Sequence, residues 1–174
     1  MNGSAGAQGV LWDLGDLYSG GDDPQLEKDL AESRQRAESF ASSYRGRIAE
    51  LQAAELAEVI EEYEQILELS GKAGTFTYLN WSTNTEDPAR GALLQRLQEH
   101  SSRLQQQLLF FELEWVHVDE DRAGKLMADP ALAHCRFWLT LSRRYRPHLL
   151  SEAEEKILAE KSVTGRSAWV RFFE

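Results

Sequence analysis

The chain has 174 residues, which is enough for one domain with a substantial hydrophobic core. Its formal net charge of −10 argues against nucleic acid or an anionic membrane surface as a partner. No window is long and apolar enough for a transmembrane helix, and the first residues lack the features of a signal peptide. A single cysteine excludes an internal disulfide and suits a reducing compartment, so we expect a cytoplasmic protein.

The N-terminal segment is predicted to have two parts. Residues 1–9 are mostly Gly, Ser, Ala and Gln and have little to bury, so we expect them to be disordered. The aromatic stretch 12–18 follows, and it should pack on the helices as an N-terminal strap through Trp12, Leu14 and Leu17.

Two helices are predicted next. The first is capped by Asp23, has Pro24 in its first turn and ends at Gly46. Its apolar and small residues recur at spacings of three and four: Leu26, Leu30, Ser33, Ala37, Phe40 and Tyr44. Ile48 and Leu51 lead into the second helix, which runs to about Ser82 and is expected to kink or break briefly at Gly71 and Gly74.

A long central helix is predicted over residues 88–118, with Asp87 as its cap and Pro88 in its first turn. At 1.5 Å per residue it would extend roughly 45 Å. One side carries a heptad seam: Leu94, Leu97, Ser101, Leu104, Leu108, Phe111, Trp115 and Val118. Because the first helix has a matching seam, we expect an antiparallel multi-helix bundle organised around this helix rather than a coiled-coil dimer.

Shorter helical segments complete the predicted fold. An acidic start at residues 119–121 opens one helix, Asp129-Pro130 opens another, and Ser151 with Glu154 forms a capping box for a third. Their expected apolar residues are Leu126, Leu132, Phe137, Trp138, Leu141, Ile157 and Leu158. Cys135 should be a small buried hydrophobe beside Leu132 and Phe137. No stretch alternates in the manner of a strand, so the predicted fold class is all-α with no sheet.

Few residues suggest catalysis or metal binding. Glu114 and His117 form a Glu-x-x-His pair, but a di-iron bundle needs two such pairs, and a solvated helix face is the commoner role. The sequence has no His-Glu-x-x-His, Cys-x-x-Cys, phosphate-binding glycine loop or Gly-x-Ser-x-Gly. We therefore predict no catalytic, cofactor-binding or metal-ligating residue in this chain.

Two features near the C-terminal end suggest contacts. A basic cluster could bind an acidic partner or a peptide carboxylate, although a helix end that complements its dipole is the favoured reading: Arg143, Arg144, Arg146 and His148. Trp169, Phe172 and Phe173 form an apolar helical face. Either this face folds back onto the domain or the sequence continues in a longer protein, and we expect the second.

Four segments, in order, resemble the N-terminal domain of oligoendopeptidase F-type zinc metallopeptidases of the thimet-like oligopeptidase superfamily. They are residues 12–18 with Asp23-Pro24, residues 110–115, residues 146–152 and residues 158–169. The resemblance covers nearly the whole chain after Gly9.

The resemblance implies an all-helical channel wall and lid in a cytoplasmic enzyme that cuts short peptides at internal bonds. One zinc is expected on a separate C-terminal catalytic domain, so this chain should be inactive alone. Its partners would be that domain and short peptides, with no nucleic acid and no membrane. The alternative is a self-contained helical interaction module without enzymatic activity.

The same resemblance implies a domain layout. Residues 1–9 would be the disordered segment, residues 10–162 the helical domain, and residues 163–174 the start of a junction towards the catalytic domain. Within that junction, a signature is expected at Gly165, Arg166, Ser167 and Trp169.

Overall fold

Three long antiparallel helices form the body of the structure, a computed structural model that describes residues 13–173. They are α1 (Pro24–Tyr44), α2 (Ala53–Ser82) and α3 (Pro88–His117). Four shorter helices follow them: α4 (Glu120–Ala128), α5 (Arg136–Arg144), α6 (Glu152–Thr164) and α7 (Arg166–Phe173). Residues 13–173 contain no strand, which confirms the predicted all-α fold with a long central helix.

The Asp-Pro starts behave as predicted at the two long helices that carry them. The Oδ1 atom of Asp23 accepts a hydrogen bond from the N–H of Gln25, and that of Asp87 accepts one from the N–H of Ala89, both at 2.8 Å. Each bond satisfies an N–H that has no partner within the helix, and a cap of this kind contributes about 1 kcal/mol. The third Asp-Pro pair instead opens a 3₁₀ turn, Pro130–Leu132, and α5 begins four residues later.

The main hydrophobic core lies between α1, α2 and the C-terminal half of α3. Phe40 of α1 is fully buried at its centre. Its ring contacts four other aromatic rings at centroid distances between 5.1 and 6.0 Å: Tyr44, Tyr63, Phe110 and Phe111. Leu126 of α4, Leu132 of the 3₁₀ turn and Leu139 of α5 add to the same core.

A second, smaller core joins the N-terminal strap to the three long helices. Leu14 and Leu17 pack against it as predicted, whereas Trp12 and residues 1–9 lie outside the described residues. Tyr18 is buried there and donates a hydrogen bond to Asp29 Oδ2 at 2.7 Å. Gln25 and Lys72 also donate to the Asp29 carboxylate. Burial acts to raise the pKa of Asp29, but these hydrogen bonds outweigh it and the pKa is lowered overall.

One position of the predicted heptad seam on α3 is wrong. Ser101 is exposed, and its neighbour His100 is buried instead, against α1. Which of the two adjacent positions faces α1 depends on how the helices cross, and His100 is the one that meets Ser33. The other residues of the predicted seam are buried, from Leu94 to Val118.

The expected break in α2 is also wrong. The helix is continuous from Ala53 to Ser82 through both Gly71 and Gly74. Each interior glycine costs up to about 1 kcal/mol relative to alanine. Burial of Ala73 and Phe76 on the opposite face holds the helix together across this stretch, because tertiary packing overrides weak propensity.

Four side chains that were expected to be buried are exposed, and Leu141 is the least exposed of them at 37 %. Phe137 is 77 % exposed, and Ile157 and Leu158 are more than half exposed. Cys135 is buried near Leu132, as predicted, and burial raises the pKa of its thiol. None of the helices in the described part of the chain has both the length and the apolarity needed to cross a bilayer.

Candidate domain-docking surface

Large apolar side chains are exposed mainly after α3. Among the described residues, only Leu67 and Tyr78 of this class precede Val118. The others are Phe137, Leu141, Tyr145, Leu150, Ile157, Leu158, Trp169, Val170, Phe172 and Phe173. Clustered apolar exposure of this kind marks an interaction surface, because leaving it in water is unfavourable.

Helix α6 is held against α3 on one side and exposes both apolar and charged side chains on the other. Arg45, which directly follows α1, donates to Glu152 Oε1 at 2.6 Å, and Ser102 of α3 donates to the carbonyl of Ala159 at 3.4 Å. Ala159 is therefore the buried residue of α6, while Ile157 and Leu158 face away. Hydrogen bonds from Lys156 and then Arg45 lower the pKa of Glu152, which keeps this anchor charged at neutral pH.

Helix α7 carries an aromatic face formed by Trp169, Phe172 and Phe173. These side chains are 65 %, 77 % and 84 % exposed. The Trp169 and Phe172 rings lie 6.2 Å apart and the Phe172 and Phe173 rings 5.8 Å apart, both nearly perpendicular. The aromatic face does not fold back onto the residues that the structure describes. We use the name docking surface for these three side chains together with the exposed Ile157 and Leu158 of α6.

A tight turn at Gly165 sets the direction of α7. The N–H of Gly165 donates to the carbonyl of Lys161 at 2.7 Å, and its own carbonyl accepts from Trp169 at the start of the next helix. A Cβ atom at residue 165 would lie 2.6 Å from the Lys161 oxygen, closer than real Cβ contacts. Only glycine fits this turn without a backbone shift.

The predicted junction signature consists of this glycine and three residues of α7 that face two different places. Arg166 and Ser167 line a cleft against Tyr78 and Trp81 of α2. Trp169 belongs to the docking surface instead. The structure therefore brings Arg166 and Ser167 together at the cleft and leaves Trp169 available to a partner.

The basic cluster at the end of α5 is divided in the structure. Arg143 points inward, with a side chain only 7 % exposed, and donates to the carbonyls of Trp115 and Val118, each at 2.9 Å, and to Glu120 at 2.7 Å. It thus satisfies free carbonyls at the C-terminus of α3, a neighbouring helix rather than its own. Arg144 and Arg146 remain exposed on the surface.

The Glu114 and His117 pair is engaged in local structure. Glu114 accepts hydrogen bonds from the N–H groups of Gly46 at 2.7 Å and Ile48 at 3.3 Å, so it fixes the link between α1 and α2. His117 Nδ1 lies 2.6 Å from the carbonyl of Leu113 in its own helix. No group of three or more His, Cys, Asp or Glu side chains in the described residues is placed to hold a metal ion.

Sequence reasoning missed Arg45 as an anchor of α6. Its guanidinium lies 4.4 Å from the centre of the Phe110 ring and also donates to the carbonyl of Gln107. The residue follows α1 directly in the sequence, where a basic side chain reads as a response to the helix dipole. The 107-residue separation from Glu152 left no local signal of their pairing.

Comparison with known proteins finds one family. The family model described as Oligopeptidase F, for an N-terminal domain, matches residues 114–174. Over residues 114–174 this match confirms the resemblance inferred from the sequence. It begins near the end of α3, so α1, α2 and most of α3 lie outside it. No curated protein and no solved structure gave a significant match.

Proposed function

We propose that this chain is the helical channel wall and lid of a zinc oligoendopeptidase. The premise is that residues 114–174 are an N-terminal segment of the oligopeptidase F family of metallopeptidases. In this role it packs against a catalytic half, admits short peptides and excludes folded proteins. The proposal places the complete enzyme in the cytoplasm.

The position of the docking surface is the observation that carries this proposal. All five of its residues lie within the segment that matches the family. Trp and Phe are enriched at protein interfaces, where a few buried aromatic anchors supply most of the binding energy. A surface built from Trp169, Phe172, Phe173, Ile157 and Leu158 has this composition, and the turn at Gly165 fixes the direction of the helix that carries its aromatic part.

The residues of this chain do not fit a catalytic zinc. The His-Glu-x-x-His motif is absent from the sequence, and Glu114 is engaged by backbone N–H groups. We therefore assign no step of peptide hydrolysis to this chain. In the proposal, the zinc and the general base are on the catalytic half, and this domain encloses the peptide so that only flexible substrates reach the metal.

The test is association with a catalytic half. A reading frame that contains His-Glu-x-x-His is sought next to the coding sequence, and its product is expressed separately. We expect the 174-residue chain to bind this product in isothermal titration calorimetry. Replacing Trp169 by alanine should weaken binding about 30-fold, since an aromatic anchor contributes roughly 2 kcal/mol.

Leu67→Ala is the matched control, because Leu67 is also an exposed apolar residue but lies on α2, outside the matching segment. The Leu67→Ala variant should bind the catalytic half with the affinity of the unmodified chain. If the Trp169→Ala and unmodified chains bind the catalytic half equally well, the assignment of the docking surface as the contact with that half is wrong. Self-association through Trp169, without binding to the catalytic half, would support the alternative of a self-contained interaction module.

A further inference from the structure

A cleft of about 250 Å³ lies where the turn at Gly165 meets the ends of two long helices. Its walls come from three elements: Tyr78 and Trp81 of α2, Leu94 and Gln98 of α3, and Arg166 and Ser167 of α7. The family match covers only the α7 side of this cleft. The site is therefore a joint product of the matching segment and the helices that precede it.

Arg166 is the charged group of the cleft. Among the described residues no acidic side chain lines the cleft, although the chain as a whole has a net charge of −10. Arg166 makes no ion pair or side-chain hydrogen bond within the described residues, in contrast to Arg45, Arg90 and Arg143. A guanidinium presents five N–H donors in a planar fork that matches a carboxylate. The cleft thus offers a free donor set suited to a carboxylate.

The remaining walls suit an apolar group next to that carboxylate. Trp81 is buried and its ring lies 6.2 Å from the ring of Tyr78. Leu94 is buried below them, and Val170 adds an aliphatic contact from α7. Gln98 and Ser167 supply neutral hydrogen-bonding groups. A cleft that combines apolar walls with polar groups that set orientation is typical of a small-ligand site.

Two of the three walls are fixed by the link between α2 and α3. Arg90 of α3 donates to the carbonyl of Asn80 at 2.8 Å and to the hydroxyl of Thr83. It also forms an ion pair with Asp87 at 3.4 Å. These bonds join the last turn of α2 to the first turn of α3, and a preformed site loses less entropy when a ligand binds.

We propose that this cleft binds the C-terminal carboxylate of a short peptide that ends in an apolar residue. Arg166 binds the carboxylate, and Tyr78, Trp81 and Leu94 contact the terminal side chain. The choice of a peptide, rather than another apolar carboxylic acid, rests on the proposed function. The carboxylate and apolar halves of the site rest on the lining residues alone.

The test compares two ligands that differ only at the carboxylate. The 174-residue chain is titrated calorimetrically with acetyl-alanyl-leucine and with its C-terminal amide. We expect the acid to bind at least about tenfold more tightly, which corresponds to roughly 1.4 kcal/mol. Arg166→Gln should remove this difference, and Arg166→Lys should keep only part of it, because an ammonium group cannot bind a carboxylate through a planar fork.

Arg144→Gln is the control, since Arg144 is an exposed arginine on α5 and is not part of the cleft. The Arg144→Gln variant should bind the acid and the amide with the same affinities as the unmodified chain. Equal binding of acid and amide would overturn the proposal. So would a lack of binding up to about 10 mM peptide, where a site worth roughly 3 kcal/mol is half filled.

The result is separable from the docking test. Trp169→Ala should weaken binding to the catalytic half and leave peptide affinity unchanged, because Trp169 is outside the cleft. If Arg166→Gln weakens binding to the catalytic half but does not change peptide affinity, the cleft belongs to the domain interface. The proposal that it binds a peptide carboxylate is then wrong.

Discussion

Ser33 Oγ and His100 Nε2 lie 3.1 Å apart in the interface between α1 and α3, where both residues are buried. Ser33 donates its single hydroxyl proton to the carbonyl of Leu30. With the hydroxyl so directed, Ser33 Oγ accepts from His100 in the tautomer that carries its proton on Nε2. Burial in this interface favours the neutral form of His100, because a second proton would place a charge between the two helices.

The first prediction is a loss of stability in mild acid that depends on His100. Burial, followed by the charges of Arg34 and Arg103, lowers the pKa of His100 below its ordinary value of 6.5. As the pH falls, the unfolded chain takes up this proton before the folded one does. The stabilisation is present above about pH 6.5 and is lost below it, at up to about 1.4 kcal/mol per pH unit.

Urea unfolding at pH 7.5 and at pH 5.5 measures this effect. His100→Gln keeps a donor for Ser33 but cannot be protonated, so the loss between the two pH values should be smaller. His117→Gln is the matched control, an exposed histidine on the same helix, and should behave like the unmodified chain. An identical pH dependence in all three proteins would contradict the prediction.

The second prediction concerns the buried carboxylate that holds the N-terminal strap. Tyr18→Phe removes the hydrogen bond to Asp29 and should lower the free energy of unfolding by about 1–2 kcal/mol. Asp29→Asn should cost about 1–3 kcal/mol, because Lys72 also loses its ion pair. Chemical denaturation of the single and double variants should show less than additive losses, since both changes remove the same bond.

Asp22 provides the control for this cycle. It is exposed and immediately precedes the cap of α1, so Asp22→Asn should change stability by less than about 0.5 kcal/mol. Fully additive losses for the Tyr18 and Asp29 variants would show that the two side chains act independently.

The elements of this fold were predictable where a local signal defines them, and less so where tertiary contacts decide. Asp23 and Asp87 lie in cap-and-proline motifs, so the starts of α1 and α3 followed from sequence. Ser101 was misplaced because the choice between residues 100 and 101 depends on how α1 crosses α3. Phe137 was expected to be buried from its hydrophobicity alone, but no element of the described chain covers it.

The candidate site shows the same division. Trp169, Phe172 and Phe173 were recognisable as an apolar face from their spacing. The cleft was not recognisable, because Tyr78 and Arg166 are 88 positions apart and meet only after α7 folds over α2 and α3. The inward direction of Arg143 was hidden for the same reason, since its partners are carbonyls of another helix.

The third prediction separates the two arginines at the end of α5. Arg143→Gln should lower the free energy of unfolding by about 2–3 kcal/mol, because the carbonyls of Trp115 and Val118 lose a charged donor. Arg144→Gln removes an exposed charge next to it and should change stability by less than about 0.5 kcal/mol. Thermal or urea unfolding of both variants measures the two free energies of unfolding. Equal losses would mean that Arg143 stabilises the fold through its charge alone and not through its hydrogen bonds to the carbonyls.

The fourth prediction tests the turn that places α7. Gly165→Ala would put a Cβ atom 2.6 Å from the Lys161 carbonyl oxygen, so the turn must open at a cost of about 1–3 kcal/mol. Because α7 packs mainly on α6, we expect the effect to be local. Hydrogen exchange of the amides in residues 166–173 should accelerate, while those in α2 keep their protection.

Gly124→Ala is the matched control: residue 124 lies inside α4, where a Cβ meets no atom within 4 Å. That variant should be more stable by about 0.5–1 kcal/mol. Unchanged exchange in α7 of Gly165→Ala would mean that the turn tolerates a side chain and that glycine is not needed to orient the docking surface.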